Sequence, residues 1–95
     1  MRKRGKVDAN QDEIVQALRQ VGCSVLSLAA LGTGVPDLLV RRGGTLHLHL
    51  LEIKNGSKPP SKRKLTDDQI DFCKLWPVTV VNNIDEALKA VMVKK

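Results

Sequence analysis

The sequence predicts a single α/β domain in which a central mixed sheet is flanked by helices, with elements in the order α-β-β-β-α-β-α. Apolar residues recur at helical spacing in three segments, and short runs rich in Val and Leu separate them. With 95 residues the chain fits one domain spanning residues 1–95. Residues 1–7 and 94–95 are basic, and we expect them to be flexible tails.

Each helix has a recognisable start. Asp8 and Gln11 are spaced like a capping box at the start of the first helix, whose apolar residues reach Val21 before Gly22 ends it. Thr66 is the expected N-cap of the second helix, because two acids follow in the first turn, where the helix dipole favours negative charge. Asn83 is the expected N-cap of the third helix, which we predict to continue through Val93.

Four segments have the composition of strands, and loops rich in Gly or Pro separate them. We predict that the second and third strands form a hairpin with Gly43-Gly44 as its two-residue turn. The long "NGSKPPSKRKL" segment contains two prolines and a run of basic residues, so it is predicted to be a loop. The predicted strands are residues 23–31, 38–41, 46–54 and 77–81.

Charge and composition narrow the functional classes. The formal net charge is +6, from 16 Lys and Arg against 10 Asp and Glu, which favours a polyanionic partner such as DNA. Phe72 and Trp76 are the only aromatic residues, too few for single-strand binding by serial base stacking. Cys23 and Cys73 lack the spacing of zinc ligands and are expected to be reduced thiols in an intracellular protein. We expect no secretory signal and no membrane span.

Three charged residues interrupt the apolar hairpin. Glu52 and Lys54 share one face of the third strand, because side chains alternate along a strand, and His47 and His49 share the other face. A two-residue turn would place Asp37 opposite Leu50. Asp37 would then lie on the same face as Glu52, diagonally displaced by about 7–8 Å. This inference depends on the parity of the hairpin loop.

Two carboxylates at this separation are suited to binding one divalent cation. Oxygen ligands without Cys or His favour Mg²⁺ or Mn²⁺ over zinc. A neighbouring lysine is able to stabilise developing negative charge or orient a water molecule, so the set suits phosphodiester hydrolysis. The alternative is purely structural: a salt bridge between Glu52 and Lys54, with Asp37 capping a helix or turn.

These residues match a known pattern. Pro36-Asp37 followed by Glu52-Ile53-Lys54 is the signature of PD-(D/E)xK nucleases. The fuller segments "GVPDLLV", "LLEIKNG" and "PPSKRKLTDDQ" resemble the virus-type replication-repair nuclease (VRR-NUC) domain. The resemblance implies a restriction-endonuclease-like core and a metal-dependent, structure-selective DNA endonuclease. Small stand-alone members, of viral or phage type, are similar to Holliday junction resolvases that act as homodimers on four-way junctions.

The resemblance also implies roles for individual residues. Asp37, Glu52 and the backbone carbonyl of Ile53 would bind Mg²⁺ or Mn²⁺, and Lys54 would be the catalytic lysine. Gln69 on the second helix would orient a ligand, water or phosphate, unless it serves only as the helix cap. Glu13 on the first helix is a further candidate metal ligand, although a solvated first-turn acid fits it equally well.

DNA binding is expected to be electrostatic and largely independent of sequence. The best candidates for phosphate contacts follow the catalytic strand, and two more lie at the hairpin tip; solvated surface charge is the alternative for each. Other functions remain open: a flap-cutting or nicking nuclease, a non-catalytic DNA-binding module, or a small subunit of a protein complex. The candidate DNA contacts are Lys58, Lys62, Arg63, Lys64, Arg41 and Arg42.

Overall fold

A computed structural model of the chain describes residues 10–92. It is an α/β fold in which helices flank a four-stranded mixed sheet. Asp8, Val93 and the predicted tails lie outside the described residues. The elements are α1 (Gln11–Gln20), β1 (Ser24–Ser27), β2 (Leu38–Arg41), β3 (Leu48–Ile53), α2 (Asp67–Leu75), β4 (Val78–Val81) and α3 (Ile84–Met92), with short 3-10 turns at Ala29–Leu31 and Pro60–Lys62.

The strands lie in the sheet in the order β1-β2-β3-β4. Both β1 with β2 and β2 with β3 pair antiparallel, as consecutive strands joined by short loops do. Strand β4 pairs parallel with β3, and the connection between them contains α2. A parallel pair requires such a crossover connection, so the mixed sheet agrees with the predicted order of elements.

One face of the sheet, here called the core face, carries the hydrophobic core. Leu51 and Ile53 of β3 are fully buried there. Helices α1 and α3 cover this face and contact each other, because each presents apolar residues at helical spacing. Residues of both helices and of all four strands complete the core: Ile14, Leu18, Cys23, Leu38, Val40, Leu51, Ile53, Val81, Ala87 and Val91 are buried, with Val25 packed against them.

The opposite face, here called the site face, is only partly covered. Helix α2 lies over it, since its Gln69 hydrogen-bonds to Glu52 and Lys54, whose side chains alternate with those of Leu51 and Ile53. The predicted N-cap is confirmed: Thr66 accepts a hydrogen bond from the Gln69 N–H, and the Gln69 side chain accepts one from the Thr66 N–H. Yet α2 buries none of its residues.

Several predicted boundaries are wrong, including those of α1 and β1. Helix α1 begins at Gln11 with Asn10 as its N-cap, so Gln11 is not the third residue of a capping box begun by Asp8. Strand β1 ends at Ser27 rather than Leu31. The Ser27 hydroxyl accepts a hydrogen bond from the backbone of Ala29, and the chain turns into the 3-10 segment there.

The predicted register of the hairpin is also wrong, by two residues. Gly43-Gly44 form a β-turn, in which the Thr45 N–H donates to the Arg42 carbonyl, but strand pairing places Arg42 opposite His47 rather than Thr45. The loop between the paired residues therefore has four residues rather than two. The Thr45 hydroxyl donates to the Arg42 carbonyl and accepts from the His47 N–H, which closes the turn after Gly44 at φ +72°. Strand β3 therefore begins at Leu48 rather than Leu46. A shift of two residues preserves parity, so each side chain stays on its predicted face.

Within residues 10–92, no helix combines the length and apolar character needed to cross a membrane. Cys23 and Cys73 are both free thiols, as predicted; Cys23 is buried in the core, and Cys73 is half-buried on α2.

Candidate active site

Asp37 and Glu52 each lie one residue beyond the last pair of β2 and β3, at the open end of the hairpin. Strand pairing runs from Arg41 with Leu48 to Leu38 with Leu51, and the next pair in this register is Asp37 with Glu52. Directly opposed side chains have Cβ atoms about 4.5–5.5 Å apart, closer than the predicted diagonal arrangement. The corrected register therefore brings the two carboxylates nearer than the sequence predicts.

A short hydrogen bond fixes the Asp37 side chain. Its Oδ2 accepts from the backbone N–H of Ile53 at 2.7 Å. This bond ties the residue before β2 to the end of β3, and it orients the carboxylate alongside the strand that carries Glu52 and Lys54. A hydrogen bond to a charged acceptor stabilises by roughly 1.5–3 kcal/mol.

Gln69 is the centre of the polar network. Its Nε2 donates to Glu52 Oε2 at 3.1 Å, and its Oε1 accepts from Lys54 Nζ at 3.0 Å. Lys54 Nζ also lies 3.7 Å from Glu52 Oε2. Glu52 is only 4% exposed, and a buried carboxylate is tolerated only when it is paired and hydrogen-bonded. The amide of Gln69 thus links the acid, the lysine and the cap of α2.

Gly34 allows α2 to approach the site this closely. Its φ is +82°, and a Cβ at this position would lie 2.5 Å from the backbone carbonyl of Asp68. Any side chain there would push the first turn of α2 away, together with Gln69. A cleft of about 310 Å³ opens at this contact. Its lining includes Gly32, Gly34, Asp37, Thr66, Asp68 and Gln69.

The oxygen atoms of the site fit a hard divalent cation. Within the described ranges there is no cluster of three or more His, Cys, Asp or Glu side chains with metal-binding geometry. A cation here would therefore be held by Asp37, Glu52, the Ile53 carbonyl and oxygens of water or substrate. Mg²⁺ is commonly bound in this way, by one or two carboxylates plus water and phosphate.

Glu13 is not part of this network. It is exposed on the first turn of α1 and lines a separate polar cleft of about 420 Å³ with Asn10 and five other residues. Asn10 is a structural residue that the sequence does not reveal. Its Nδ2 donates to the carbonyls of Lys54 and Asn82 and so joins α1 to the ends of β3 and β4. No local sequence pattern predicts the hydrogen bonds of Asn10, because their acceptors lie 44 and 72 residues away in the chain.

The loop of residues 55–65 begins and ends at the site. It follows Lys54 and returns to Thr66, whose N–H donates to Gln69 Oε1. Three of the predicted DNA contacts in it, Lys58, Lys62 and Lys64, are exposed.

Arg63 is half-buried, in contrast to the three lysines. Together with hydrogen bonds from Asn82, which are the largest cause, its positive charge lowers the pKa of Glu86. Arg63 therefore interacts with the body of the domain.

The two arginines at the hairpin tip are remote from the site. Arg41 pairs with Leu48, four residues before Glu52, which places it roughly 13 Å away along the strand. Arg42 pairs with His47 next to the loop. His49 lies on the core face with Leu51. The structure thus groups Asp37, Glu52, Lys54 and Gln69, but separates Arg41 and Arg42 from them.

Comparisons of the chain with models of protein families, with curated proteins and with solved structures found no match.

Proposed function

We propose that this protein is a metal-dependent DNA endonuclease with a PD-(D/E)xK active site of the VRR-NUC type. The observation that carries the proposal is the grouping of Asp37, Glu52 and Lys54 at the end of β3, where Asp37 Oδ2 accepts from the Ile53 N–H at 2.7 Å and Lys54 Nζ lies 3.7 Å from Glu52 Oε2. A pair of acids with an adjacent lysine, at the edge of a basic loop, is suited to a phosphodiester substrate. The four-stranded mixed sheet with flanking helices is compatible with the core of that class.

Each residue has a defined task in this proposal. Asp37, Glu52 and the Ile53 carbonyl would hold Mg²⁺ or Mn²⁺, and the metal would supply polarisation of the phosphate and a lowered pKa of a bound water. Lys54 places its ammonium group beside Glu52, where it would stabilise negative charge that develops on the phosphate. Gln69 holds Lys54 and Glu52 in register through the two ends of its amide. The oxygen ligands would thus bind the metal ion, and the lysine would stabilise the charge on the phosphate.

The expected substrate is branched DNA, with a four-way junction favoured. Lys58, Lys62 and Lys64 extend from a loop whose two ends meet at the site, so phosphates beside the scissile bond would lie within their reach. These contacts position the backbone but do not read bases. Cutting both strands of a symmetric junction requires two active sites, and therefore a homodimer.

The decisive experiment measures cleavage of labelled four-way junction, flap and linear duplex with Mg²⁺, Mn²⁺ or EDTA. We expect Asp37→Asn and Glu52→Gln, which preserve side-chain size, to reduce the cleavage rate by at least about 100-fold. Lys54→Gln is expected to have a similar effect. Asp71→Asn is the matched control, because Asp71 is an exposed acid on α2 that pairs with Lys74. This variant should cut like the wild type.

The outcomes separate the competing functions. Undiminished cutting in EDTA, or by Asp37→Asn, would refute the mechanism. Cleavage confined to flaps or to single nicks would identify a nuclease of the same class with another substrate. Binding to junctions without cleavage under any metal condition would indicate a DNA-binding module instead.

The role of the basic loop is tested by salt dependence. Replacing Lys58, Lys62 and Lys64 by Ala is expected to weaken binding to every DNA sequence and to reduce the slope of log K against log salt. The reduction should be roughly 0.9 for each phosphate that the variant no longer neutralises. Lys89→Ala on α3 is the control, since this lysine lies on a helix that covers the core face. Equal slopes for the triple variant and the wild type would remove the loop from the interface.

A further inference from the structure

A polar cleft of about 420 Å³ lies outside the site, where the ends of β3 and β4 meet the starts of α1 and α3. Four of its lining residues are asparagines, so we call it the asparagine cleft. Three of these asparagines are half-buried, whereas Glu13, Ser57 and Asn83 are exposed at its rim. The lining residues are Asn10, Glu13, Asn55, Gly56, Ser57, Asn82 and Asn83.

The amides of the cleft use only part of their hydrogen-bonding capacity within residues 10–92. A side-chain amide has one oxygen acceptor and two N–H donors. In Asn55 the oxygen accepts from Ser57, and in Asn82 the nitrogen donates to Glu86. Asn10 Oδ1 is buried and accepts no bond from the described residues, which is unusual for a buried polar atom. Donors and acceptors therefore remain for a ligand that carries both kinds of group.

The charge of the cleft excludes several kinds of ligand. Among the described residues that line it none is Lys or Arg, and Glu13 is the only charged one. Phosphate is bound mainly by cationic side chains, so the cleft is unsuited to it. One exposed carboxylate is also a poor site for a divalent cation, which prefers several oxygen ligands. No aromatic or large aliphatic side chain lines the cleft, so an apolar ligand is disfavoured.

We infer that the asparagine cleft binds an unpaired nucleobase of the DNA substrate, with guanine as the best match. Guanine carries its N1–H and N2–H donors side by side, and a carboxylate such as that of Glu13 can accept both. Its O6 and N7 accept hydrogen bonds, for which amide N–H groups are suitable donors. Thymine has no exocyclic amine and offers Glu13 no such pair. The inference rests on the proposed function for one point, namely that DNA passes this surface.

The cleft adjoins the strand that carries the site. Asn55 and Gly56 directly follow Lys54, and Asn10 donates to the Lys54 carbonyl. Asn55 lies three residues beyond Glu52, roughly 10 Å along an extended chain. The basic loop of residues 55–65 starts at the same wall of the cleft. A strand whose phosphates contact that loop would therefore carry a base near the scissile bond past the mouth of the cleft.

Branched DNA provides such a base most readily. Taking a base out of its stack costs free energy, and the cost is smallest where the base is mismatched or single-stranded. Because no aromatic residue lines the cleft, binding there would depend on hydrogen bonds rather than on stacking. A base that lacks one of the matching groups leaves a polar group of the cleft unpaired. We therefore expect a preference for one base near the cut, and not a uniform gain in affinity.

Base substitution tests the inference in EDTA, where no strand is cut. A branched DNA with unpaired thymines at the branch receives a single guanine at one position at a time, and fluorescence anisotropy measures its affinity. At one position we expect guanine to bind about tenfold more tightly than thymine. Hypoxanthine, which lacks the N2 amine, should lose most of that gain. Glu13→Gln removes the carboxylate but keeps the size of the side chain, so it should lose most of the preference.

Asp12→Asn is the matched control, because Asp12 is an exposed acid in the same turn of α1 that does not line the cleft. Both variants change the net charge equally, so a loss of preference confined to Glu13→Gln identifies recognition of the base. Equal losses in the two variants would overturn the inference. So would equal affinities for guanine and thymine at every position in the wild type.

NMR separates the cleft from the nuclease, because side-chain amides give their own signals. A short single-stranded oligonucleotide with one guanine among thymines should shift the signals of Asn55, Asn82 and Asn83, whereas an all-thymine oligonucleotide should not. Shifts in a protein that cuts no DNA would support the cleft and refute the proposed function. Metal-dependent cutting without guanine-dependent shifts or base preference would support the nuclease and overturn the inference.

Discussion

Helices α1 and α2 cover opposite faces of the same sheet but are held in different ways. Helix α1 buries Ile14 and Leu18 completely against the core face. Helix α2 buries no residue, and its placement depends on the capping box at Thr66 and on the amide of Gln69. One helix is fixed by apolar contact, the other by a few directional hydrogen bonds.

Because of this difference, we expect the core face to determine the stability of the fold and the site face to determine the chemistry of the site. Apolar burial is non-directional and supplies most of the folding free energy, and it is concentrated on the core face. Hydrogen bonds are directional and individually modest, which suits the positioning of Glu52 and Lys54. Substitutions on the core face should therefore unfold the protein, whereas those on the site face should mainly change its chemistry.

The largest expected effect tests this separation within one strand. Leu51→Ala removes a fully buried side chain from the core face and should lower the free energy of unfolding by about 2–5 kcal/mol. Leu48→Ala, three residues earlier on the exposed face, should lower it by less than about 1 kcal/mol. Urea denaturation measures both values. Equal losses would mean that the two faces contribute equally to stability.

The next largest effect concerns the approach of α2 to the sheet. Gly34→Ala combines a positive φ with a Cβ only 2.5 Å from the backbone of Asp68, and we expect it to cost about 2–3 kcal/mol. Gly32→Ala is the matched control. Gly32 also has positive φ, but a Cβ there would meet no atom within 4 Å. Its backbone, at φ 63° and ψ −161°, lies in a region nearly restricted to glycine, so Ala there should cost about 1–3 kcal/mol through backbone strain alone, without displacing α2.

The two glycine variants should also differ in function. Gly34→Ala displaces the first turn of α2 and with it Gln69, so metal-dependent cleavage should fall, while Gly32→Ala should keep it. Thermal unfolding and the cleavage assay measure the two effects separately. A Gly34→Ala variant as stable and as active as Gly32→Ala would show that α2 does not depend on this close contact.

The sequence predicts the order of elements and the grouping of the acids, because both depend on the spacing of apolar residues along helices and strands. Alternation in β3 places Glu52 and Lys54 together whatever the loop does, and the helix caps at Thr66 and Asn83 are local patterns that the structure confirms. The hairpin register depends on the whole loop. Gly43-Gly44 do form a β-turn, in which the Thr45 N–H donates to the Arg42 carbonyl, but strand pairing resumes only at His47, because the Thr45 hydroxyl bonds to both Arg42 and His47 and closes a four-residue loop.

Contacts between residues far apart in the chain could not be predicted from the sequence. Gly34 reads as one of several loop glycines, and only the fold shows that it meets the backbone of Asp68. From the sequence, Gln69 is predicted to be either a helix cap or a residue of the site. The structure shows that it caps α2 and also hydrogen-bonds to Glu52. Such roles depend on where distant segments meet, which periodicity does not encode.

A smaller effect separates those two roles of Gln69. Thr66→Ala removes one half of the capping box and should lower the free energy of unfolding by about 1 kcal/mol. Gln69→Ala removes the other half together with its bonds to Glu52 and Lys54. We expect a similar or slightly larger loss of stability. Cleavage should fall roughly tenfold, equivalent to about 1.4 kcal/mol, in Gln69→Ala alone.

Guanidinium denaturation and single-turnover cleavage, measured on the same preparations, distinguish the cap from the site. If Thr66→Ala loses as much activity as Gln69→Ala, the amide acts only by stabilising α2. If only Gln69→Ala loses activity, its contacts with the acid and the lysine matter in themselves.

The smallest expected effect concerns the polar residue at the margin of the core face. Burial, followed by the nearby charges of His47 and Arg42, lowers the pKa of His49 from its ordinary value of 6.5. The folded state thus binds the His49 proton less readily than the unfolded state does. Stability from this residue is complete above pH 6.5 and is lost as the pH falls from 6.5 towards the lowered pKa.

Denaturation midpoints across that pH range should therefore decrease more steeply for the wild type than for His49→Gln. His47→Gln should keep most of the decrease, because burial is the largest cause of the shift and the charge of His47 only adds to it. Glu86, whose pKa is also lowered, acts in a separate window, since its stabilisation is lost only as the pH falls below about 4.5. If the denaturation midpoints of the wild type and His49→Gln fall equally with pH, burial at this position does not disfavour the charged imidazole. The core face would then be less strictly apolar at His49 than it is at Leu51.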